Sequence, residues 1–370
     1  MKTTTITMAI LLMAAIGSAQ SQSYWEPYTN ITGYISTEFN WFDNLEGFDY
    51  DYGAAVSEAG LLMSYRPTSQ LTIRGVFVYR PGYEFDKMLN EAYGEYALTP
   101  YLNVRAGRFL QSLSPTNTYY YAPVNTSATL PILVSNNEFF PLNIDGVSVN
   151  GQFGNDFRFN YDVFAGGYRN DMSSRTGALG FFGGEVNYFN SLLGADPIDL
   201  PDYNNVAIAG TAGVSYKNYV DVGFGVFNPR NEIVTLGFQF EEDELFPGSP
   251  AEYMEFTMEF EKIAYGVNAR LQYGNTQIKA EYWEAEISTE GFTSDYDAYY
   301  VELSQRINTI TPYVRYEKQN AGDLSYSRYT GGVNFKPTFA TTLKLEYLLY
   351  TQDDVDDNLH GFVGSFIYSF

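Results

Sequence analysis

Leu359-His360-Gly361-Phe362-Val363-Gly364-Ser365-Phe366-Ile367-Tyr368-Ser369-Phe370 ends the chain, and it alternates. Phe362, Gly364, Phe366, Tyr368 and Phe370 share one face of a strand, and Gly361, Val363, Ser365, Ile367 and Ser369 share the other. In a soluble sheet so aromatic a face needs a covering layer, which a chain terminus is badly placed to find. In a transmembrane barrel it needs only lipid on one side and a lumen on the other. An ordinary amphipathic strand is the competing reading of this stretch alone. The rest of the chain decides.

At the other end, residues 1–23 read as a secretory signal. Lys2 supplies the charge, residues 8–16 the apolar core, and Gly17-Ser18-Ala19 the small-residue cleavage site. The apolar run is too short to span a bilayer, so residues 1–19 are expected to be a signal peptide and residues 20–370 the exported barrel. With Cys 0 there is no lipid-anchored cysteine, disulfide or thiol chemistry. A mean hydropathy of −0.24 suggests a soluble protein, but aromatic residues make up 18% of the chain, with Tyr 34 and Phe 28. Barrel strands alternate lipid-facing and lumen-facing residues, which hides them from averaged hydropathy while leaving aromatic girdles visible. The net charge of −23 excludes a nucleic-acid binder, which needs a basic face. It suits a surface that meets water and divalent cations.

From residue 29 onward, short alternating runs are joined by two kinds of connection: tight Pro/Gly/Asn/Thr turns and longer acidic or Tyr-rich loops. Residues 71–80 alternate strictly, with Leu71, Ile73, Gly75, Phe77 and Tyr79 against Thr72, Arg74, Val76, Val78 and Arg80. Residues 31–42 set Ile31, Ile35, Phe39 and Trp41 toward lipid and Tyr34, Ser36, Glu38 and Asn40 inward. Residues 228–262 are ambiguous, and their charge favours a hairpin standing above the membrane over two more spanning strands. The tally is all-β, a transmembrane antiparallel β-barrel of about 16 strands with long external loops, or about 18 if that hairpin spans. Residues 110–142 form the third external loop, rich in Tyr, Pro, Asn and Ser. A loop this long inside a compact fold is usually functional or disordered, and here it is expected to constrict the pore.

Two stretches resemble known families. Glu91-Ala92-Tyr93-Gly94-Glu95-Tyr96, then Arg105-Ala106-Gly107-Arg108-Phe109, then Asp145-Gly146-Val147, resemble the hairpin and following strand of phosphate-selective porins. Gly33-Tyr34-Ile35 is similar to that family's opening strand. The last strand, ending on Phe370, resembles the C-terminal strand of bacterial outer-membrane barrels, which implies recognition by the barrel-assembly machinery. The third-loop position, in general porins, is the one that folds into the lumen. The family implies a strongly basic lumen, and this chain departs from that.

Projected inward positions include Arg66, Arg74, Arg80, Arg105, Arg158, Arg270, Lys279, Arg306, Arg315, Lys336 and Lys344. They also include Glu38, Glu91, Glu95, Asp162, Asp221, Glu281, Glu302, Glu317 and Glu346, so the wall is of mixed sign. Among these, Arg74, Arg105, Arg158, Arg270, Arg306, Arg315, Glu91, Glu95 and Glu302 are the candidate pore-lining residues. Arg74, Arg105, Glu91 and Glu95 stand out because they lie on neighbouring strands beside the third loop. Such residues tune selectivity, or pair with one another merely to keep the wall solvated.

Asp354, Asp356 and Asn358 have the opening spacing of a calcium loop, but Leu359 stands where glycine is required. Solvated acidic loops, bridged by divalent ions to lipopolysaccharide, are the simpler reading. His360 is the single histidine, and no Ser–His pair can be argued from sequence. No cofactor is implied and an enzyme is not expected. The expectation is a diffusive outer-membrane porin for small hydrophilic solutes or ions, in contact with outer-membrane lipid and lipopolysaccharide. A surface-exposed binding or structural barrel acting through acidic loops is the alternative. Porins of this size imply a homotrimer, although no interface signal separates from the lipid-facing aromatics. Acidic loops around a balanced wall predict weak cation preference at low salt.

Overall fold

Alternation is what closes this molecule into a barrel. The computed structural model describes residues 26–43, 52–80, 88–118, 120–135, 139–168, 197–200, 205–240, 252–289, 292–322, 324–353 and 358–370. The strands are β1 (Tyr28–Phe42), β2 (Tyr52–Arg66), β3 (Leu71–Tyr79), β4 (Leu89–Thr99), β5 (Leu102–Leu110) and β6 (Asn143–Gly154). They continue as β7 (Phe157–Gly167), β8 (Pro197–Leu200), β9 (Val206–Tyr216), β10 (Val220–Phe240), β11 (Glu252–Tyr273) and β12 (Thr276–Thr289). The last are β13 (Phe292–Gln305), β14 (Ile310–Ala321), β15 (Leu324–Phe335), β16 (Thr341–Gln352) and β17 (Leu359–Ser369). Two single-turn helices, α1 (Pro115–Thr118) and α2 (Ile132–Ser135), lie between β5 and β6.

Every strand but β8 pairs antiparallel with its neighbours in chain order, β7 pairing directly with β9. β17 returns to β1, with Trp41 opposite Phe362 and Phe39 opposite Gly364, and the result is a closed barrel of 16 strands. Backbone bonds between Gly33 and Phe370, 2.9 Å in each direction, seal the last residue into the wall. A closed barrel leaves no edge and satisfies every ladder group internally, the condition for crossing lipid with strands. β8 pairs only with the upper part of β10, Leu200 opposite Thr235.

The faces follow the sequence reading. Ile31, Ile35, Phe39 and Trp41 are exposed on the outer wall, whereas Tyr34, Ser36 and Asn40 are buried inside. On β17, Phe362, Phe366, Tyr368 and Phe370 face outward, and Val363, Ser365 and Ile367 inward. Aromatic rings make two outer girdles. At the end of the long loops, Tyr299 meets Tyr316 at 5.9 Å, Tyr316 meets Tyr329 at 4.9 Å, and Phe362 meets Tyr347 at 5.0 Å and Trp41 at 5.8 Å. At the tight-turn end, Phe153 stacks on Phe159 at 5.4 Å and Phe157 meets Tyr216 at 4.6 Å. The turns there use left-handed residues, Lys217 (φ 49), Gly274 (φ 57) and Asn308 (φ 55).

Residues 228–262 continue β10 and β11 rather than adding strands to the barrel. Pairing shifts register after Phe227 and then runs from Arg230 opposite Lys262 to Phe240 opposite Glu252. Several strands also begin earlier than alternation suggests. β2 starts at Tyr52, β13 at Phe292 and β15 at Leu324, ahead of the runs that alternate clearly, residues 59–66, 299–307 and 329–336. Above the lipid a ladder needs only its hydrogen bonds, so the apolar face that marks a strand in sequence is absent there. The expected signal peptide, residues 1–19, lies outside the described residues, as do Asp354 and Asp356.

Inside the wall, Trp283 is fully buried and lies flat against Gly266, its direct cross-strand partner. A Cβ at Gly266 would sit 2.3 Å from the indole. Gly266→Val should therefore lower barrel stability by about 1–3 kcal/mol, the usual cost of overpacking. Urea titration of the barrel folded into liposomes measures this, and an unchanged midpoint would contradict the packing.

Candidate functional site

Residues 110–142 carry one charged side chain, Glu138, and between β5 and β6 this segment turns into the lumen. A segment with a single charge meets a charged wall chiefly through its backbone and hydroxyl groups, and that is how it is held. Glu346 of β16 accepts from the Ala128 amide at 2.7 Å, the Thr129 amide at 3.0 Å and the Thr129 hydroxyl at 2.8 Å. Beside it, Lys344 Nζ donates to the carbonyls of Ala122 and Ser127, both at 2.8 Å. Arg315 of β14 donates to Ser127 Oγ at 2.9 Å and to Thr129 Oγ1 at 3.0 Å. Glu317 accepts the Ile132 amide at 2.8 Å, and Arg328 of β15 donates to the Leu130 carbonyl. Arg315 and Arg328 both also pair with Glu317. Each of these five wall side chains is buried and has a partner of opposite charge or a backbone dipole, as burial of charge requires.

The loop reaches the other walls as well. Tyr121 donates to Glu91 at 2.6 Å; burial and that carboxylate hold its hydroxyl well above the ordinary tyrosine range, so it remains a donor. Tyr120 meets Arg80, whose guanidinium also pairs with Glu58 at 2.5 Å. Ser114 donates to Glu281 at 2.9 Å. Loop residues Leu113, Leu133, Val134, Phe139 and Phe140 pack on Phe164, Phe227, Ala264, Trp283 and Ala298, which point inward from β7 and β10–β13. The hydrophobic core of this barrel is therefore inside its lumen, between loop and wall.

The sequence-derived pore candidates separate into three groups. Arg74 with Glu91 (3.2 Å), Arg105 with Glu95 (2.9 Å), and Arg270 with Asp221 (2.6 Å) are paired, all but the buried Glu91 being partly exposed in the lumen, and the buried Glu302 binds Lys279 at 3.2 Å. Arg105 also lies over the rings of Tyr93 and Phe109 at 5.0 and 5.2 Å. Arg315 faces inward but has 0% of its side chain exposed, because the loop covers it. Arg158 and Arg306 stand at the tight-turn end, where Arg158 donates to the Lys217 carbonyl at 2.6 Å and Arg306 is exposed. Two residues escaped the sequence reading, Glu58 and Arg328. Each lies one residue before the alternating run that marks its strand, residues 59–66 for β2 and 329–336 for β15, and the same period extended by one residue finds it.

Below the loop a cavity of about 690 Å³ extends to Pro100 at the tight-turn end. Its charged lining is balanced, with Arg105, Arg270 and Lys279 against Asp162, Asp221 and Glu302. Ser112, Thr116, Asn125 and Ser127 contribute the loop side. No three His, Cys, Asp or Glu side chains among the described residues are grouped to hold a metal. His360 contacts the Tyr347 hydroxyl through Nδ1 on the outer face, and its amide binds Asp43 at 2.8 Å.

No family model matches the chain, and no curated protein matches it. Solved structures do. The barrel resembles OmpT, an outer-membrane protein of Vibrio cholerae, with a TM-score of 0.61 at 14% identity over 95% of this chain and 100% of that one. It resembles an anion-selective porin from Comamonas acidovorans with a TM-score of 0.61 at 12% identity, over 93% and 100%. The outer-membrane channel DcaP of Acinetobacter baumannii gives 0.55 at 13% identity, over 95% and 100%. At such identities the likeness is one of fold alone: the chain shares the barrel architecture of these outer-membrane proteins. None of these three is named for phosphate.

Glu346 holds three loop groups at once. Glu346→Ala should leave the barrel closed but loosen the loop at Ala128 and Thr129, the residues it holds. Each buried hydrogen-bonding group left without its partner costs about 1–3 kcal/mol. Limited proteolysis of the folded barrel should then yield new cleavage within residues 110–142. A digestion pattern identical to the parent's would refute the anchoring.

Proposed function

We propose that this chain is a non-enzymatic outer-membrane porin through which small hydrophilic solutes or ions diffuse passively, with residues 110–142 constricting the pore. The observation that carries this reading is the loop lodged inside a closed 16-stranded wall, with a polar cavity left beside it. Arg74, Arg105, Arg270, Glu95 and Glu302 line the water-filled part, with Glu91 buried behind Arg74, and they set a transverse field rather than a ladder for one sign of ion. The setting is the outer membrane of a Gram-negative bacterium, reached after removal of residues 1–19 and insertion by the assembly machinery that reads the Phe370 strand. Lipid and lipopolysaccharide then surround the aromatic girdles, and three copies assemble. The phosphate-selective subtype gains no support from the paired lumen, since each basic side chain there already has its carboxylate.

Purified protein in planar bilayers tests the reading. Discrete ohmic steps are expected, whereas sealed bilayers from folded protein would favour a surface-binding barrel instead. Removing residues 112–140 should raise single-channel conductance several-fold, and an unchanged conductance would refute the constriction.

Charge sets a further outcome. The wall pairs off, and the net −23 resides largely in the external loops, so a KCl gradient should give weak cation preference. It should fade as the Debye length falls from about 10 Å at 0.1 M to about 3 Å at 1 M. Anion preference persisting at high salt would show that Arg74 and Arg105 govern the constriction.

A further inference from the structure

One row of the lumen wall lacks both charge and bulk. Residues that face one another across successive strands run Gln152 (β6), Asn160 (β7), Gly213 (β9), Gly223 (β10) and Asn268 (β11), all on the inner face. They line the cavity beneath the loop. With no side chain at Gly213 or Gly223, the wall is low over two strands. A Cβ at Gly213 would lie 2.5 Å from Asn160 Oδ1, and one at Gly223 would lie 2.9 Å from the Asn268 amide. The two asparagine side chains thus lie over the glycines, and their amides form the floor of a shallow trough.

The side-chain amides of Gln152, Asn160 and Asn268 have no hydrogen-bond partner among the described residues, unlike the charged groups around them. Asn103 and Asn150, one step away, bond each other at 3.1 Å and add further amides to the rim. Arg270 is engaged by Asp221 at 2.6 Å and Lys279 by Glu302 at 3.2 Å, so neither offers a free charge. A primary amide presents a donor and an acceptor side by side, and vicinal hydroxyls present the complementary pair. With strands about 4.8 Å apart, the row from Asn160 to Asn268 spans roughly 14 Å, the reach of a short oligosaccharide.

We propose that this amide-lined trough is a binding site for uncharged polyhydroxylated solutes, sugars of two or three units, on the way through the channel. This rests on the porin reading for its transport role, but the binding itself can be measured without transport.

Raffinose serves as the probe, polyethylene glycol of the same hydrodynamic radius as the size control, and inorganic phosphate as the charged competitor. On the full barrel folded in detergent, titration calorimetry should give saturable raffinose binding and none for phosphate. In planar bilayers raffinose should lower the open-channel current saturably, beyond the effect of the polymer. The double change Asn160→Ala with Asn268→Ala, checked for heat-modifiable mobility as a sign of folding, should weaken raffinose binding roughly tenfold, as loss of two neutral hydrogen-bonding partners implies. Raffinose and polymer acting alike in a conducting channel, with no saturable heat, would overturn the trough and leave the porin reading intact. Saturable heat without any conductance would uphold the trough and sink the porin reading. Saturable phosphate binding in place of raffinose would overturn the trough as well.

Discussion

The structure depends on how a loop almost without charge is bound by a charged wall. Arg315, Glu317, Arg328, Lys344 and Glu346 are buried on β14–β16, where isolated ions would be intolerable. They are tolerable because they pair with one another and because the backbone from Ala122 to Ile132 supplies the remaining donors and acceptors. The dependence runs both ways. Without the loop, five buried charged groups would face water across an open lumen. Without those groups, the loop backbone would be buried with its hydrogen bonds unmet.

That reciprocity explains the distribution of apolar residues. A barrel in lipid has its apolar surface outside, so nothing outside can serve as a core. The side chains that pack like a soluble protein's interior are Phe139, Phe140 and Leu133 of the loop with Trp283, Phe227 and Phe164 of the wall. They occupy the lumen on the side of β7 and β10–β13, while the cavity lies beneath them toward the tight turns. The open part of the cross-section is thereby polar, balanced in its charged lining and rich in amides.

Pairing of charge across neighbouring strands has a second effect. Arg74–Glu91, Arg105–Glu95 and Arg270–Asp221 join β3 to β4, β4 to β5 and β10 to β11. Each pair spans adjacent strands and is partly wet, so it adds little stability, but it fixes where the guanidinium sits. Arg105 is held further by the Tyr93 and Phe109 rings. Side chains that would otherwise sweep the lumen are thus pinned to the wall.

The alternation from Ile31 to Phe370 determined the barrel, its inner and outer faces and the closing strand, because period two is a local property that each strand carries in its own residues. The length and composition of residues 110–142 marked that segment as special for the same reason. The ends of β2, β13 and β15 were not legible, since a ladder above lipid has no apolar face to mark it. Nor could sequence tell that Arg315 lies under the loop while Arg105 faces the cavity, for both occupy inward positions on alternating strands. Which inward residue is covered depends on where a long segment docks, and that is set by contacts between residues some 200 positions apart, as from Thr129 to Glu346. The amide trough belongs to the same category. Gln152, Asn160, Gly213, Gly223 and Asn268 are scattered over the chain, and only the register of five strands draws them into one row.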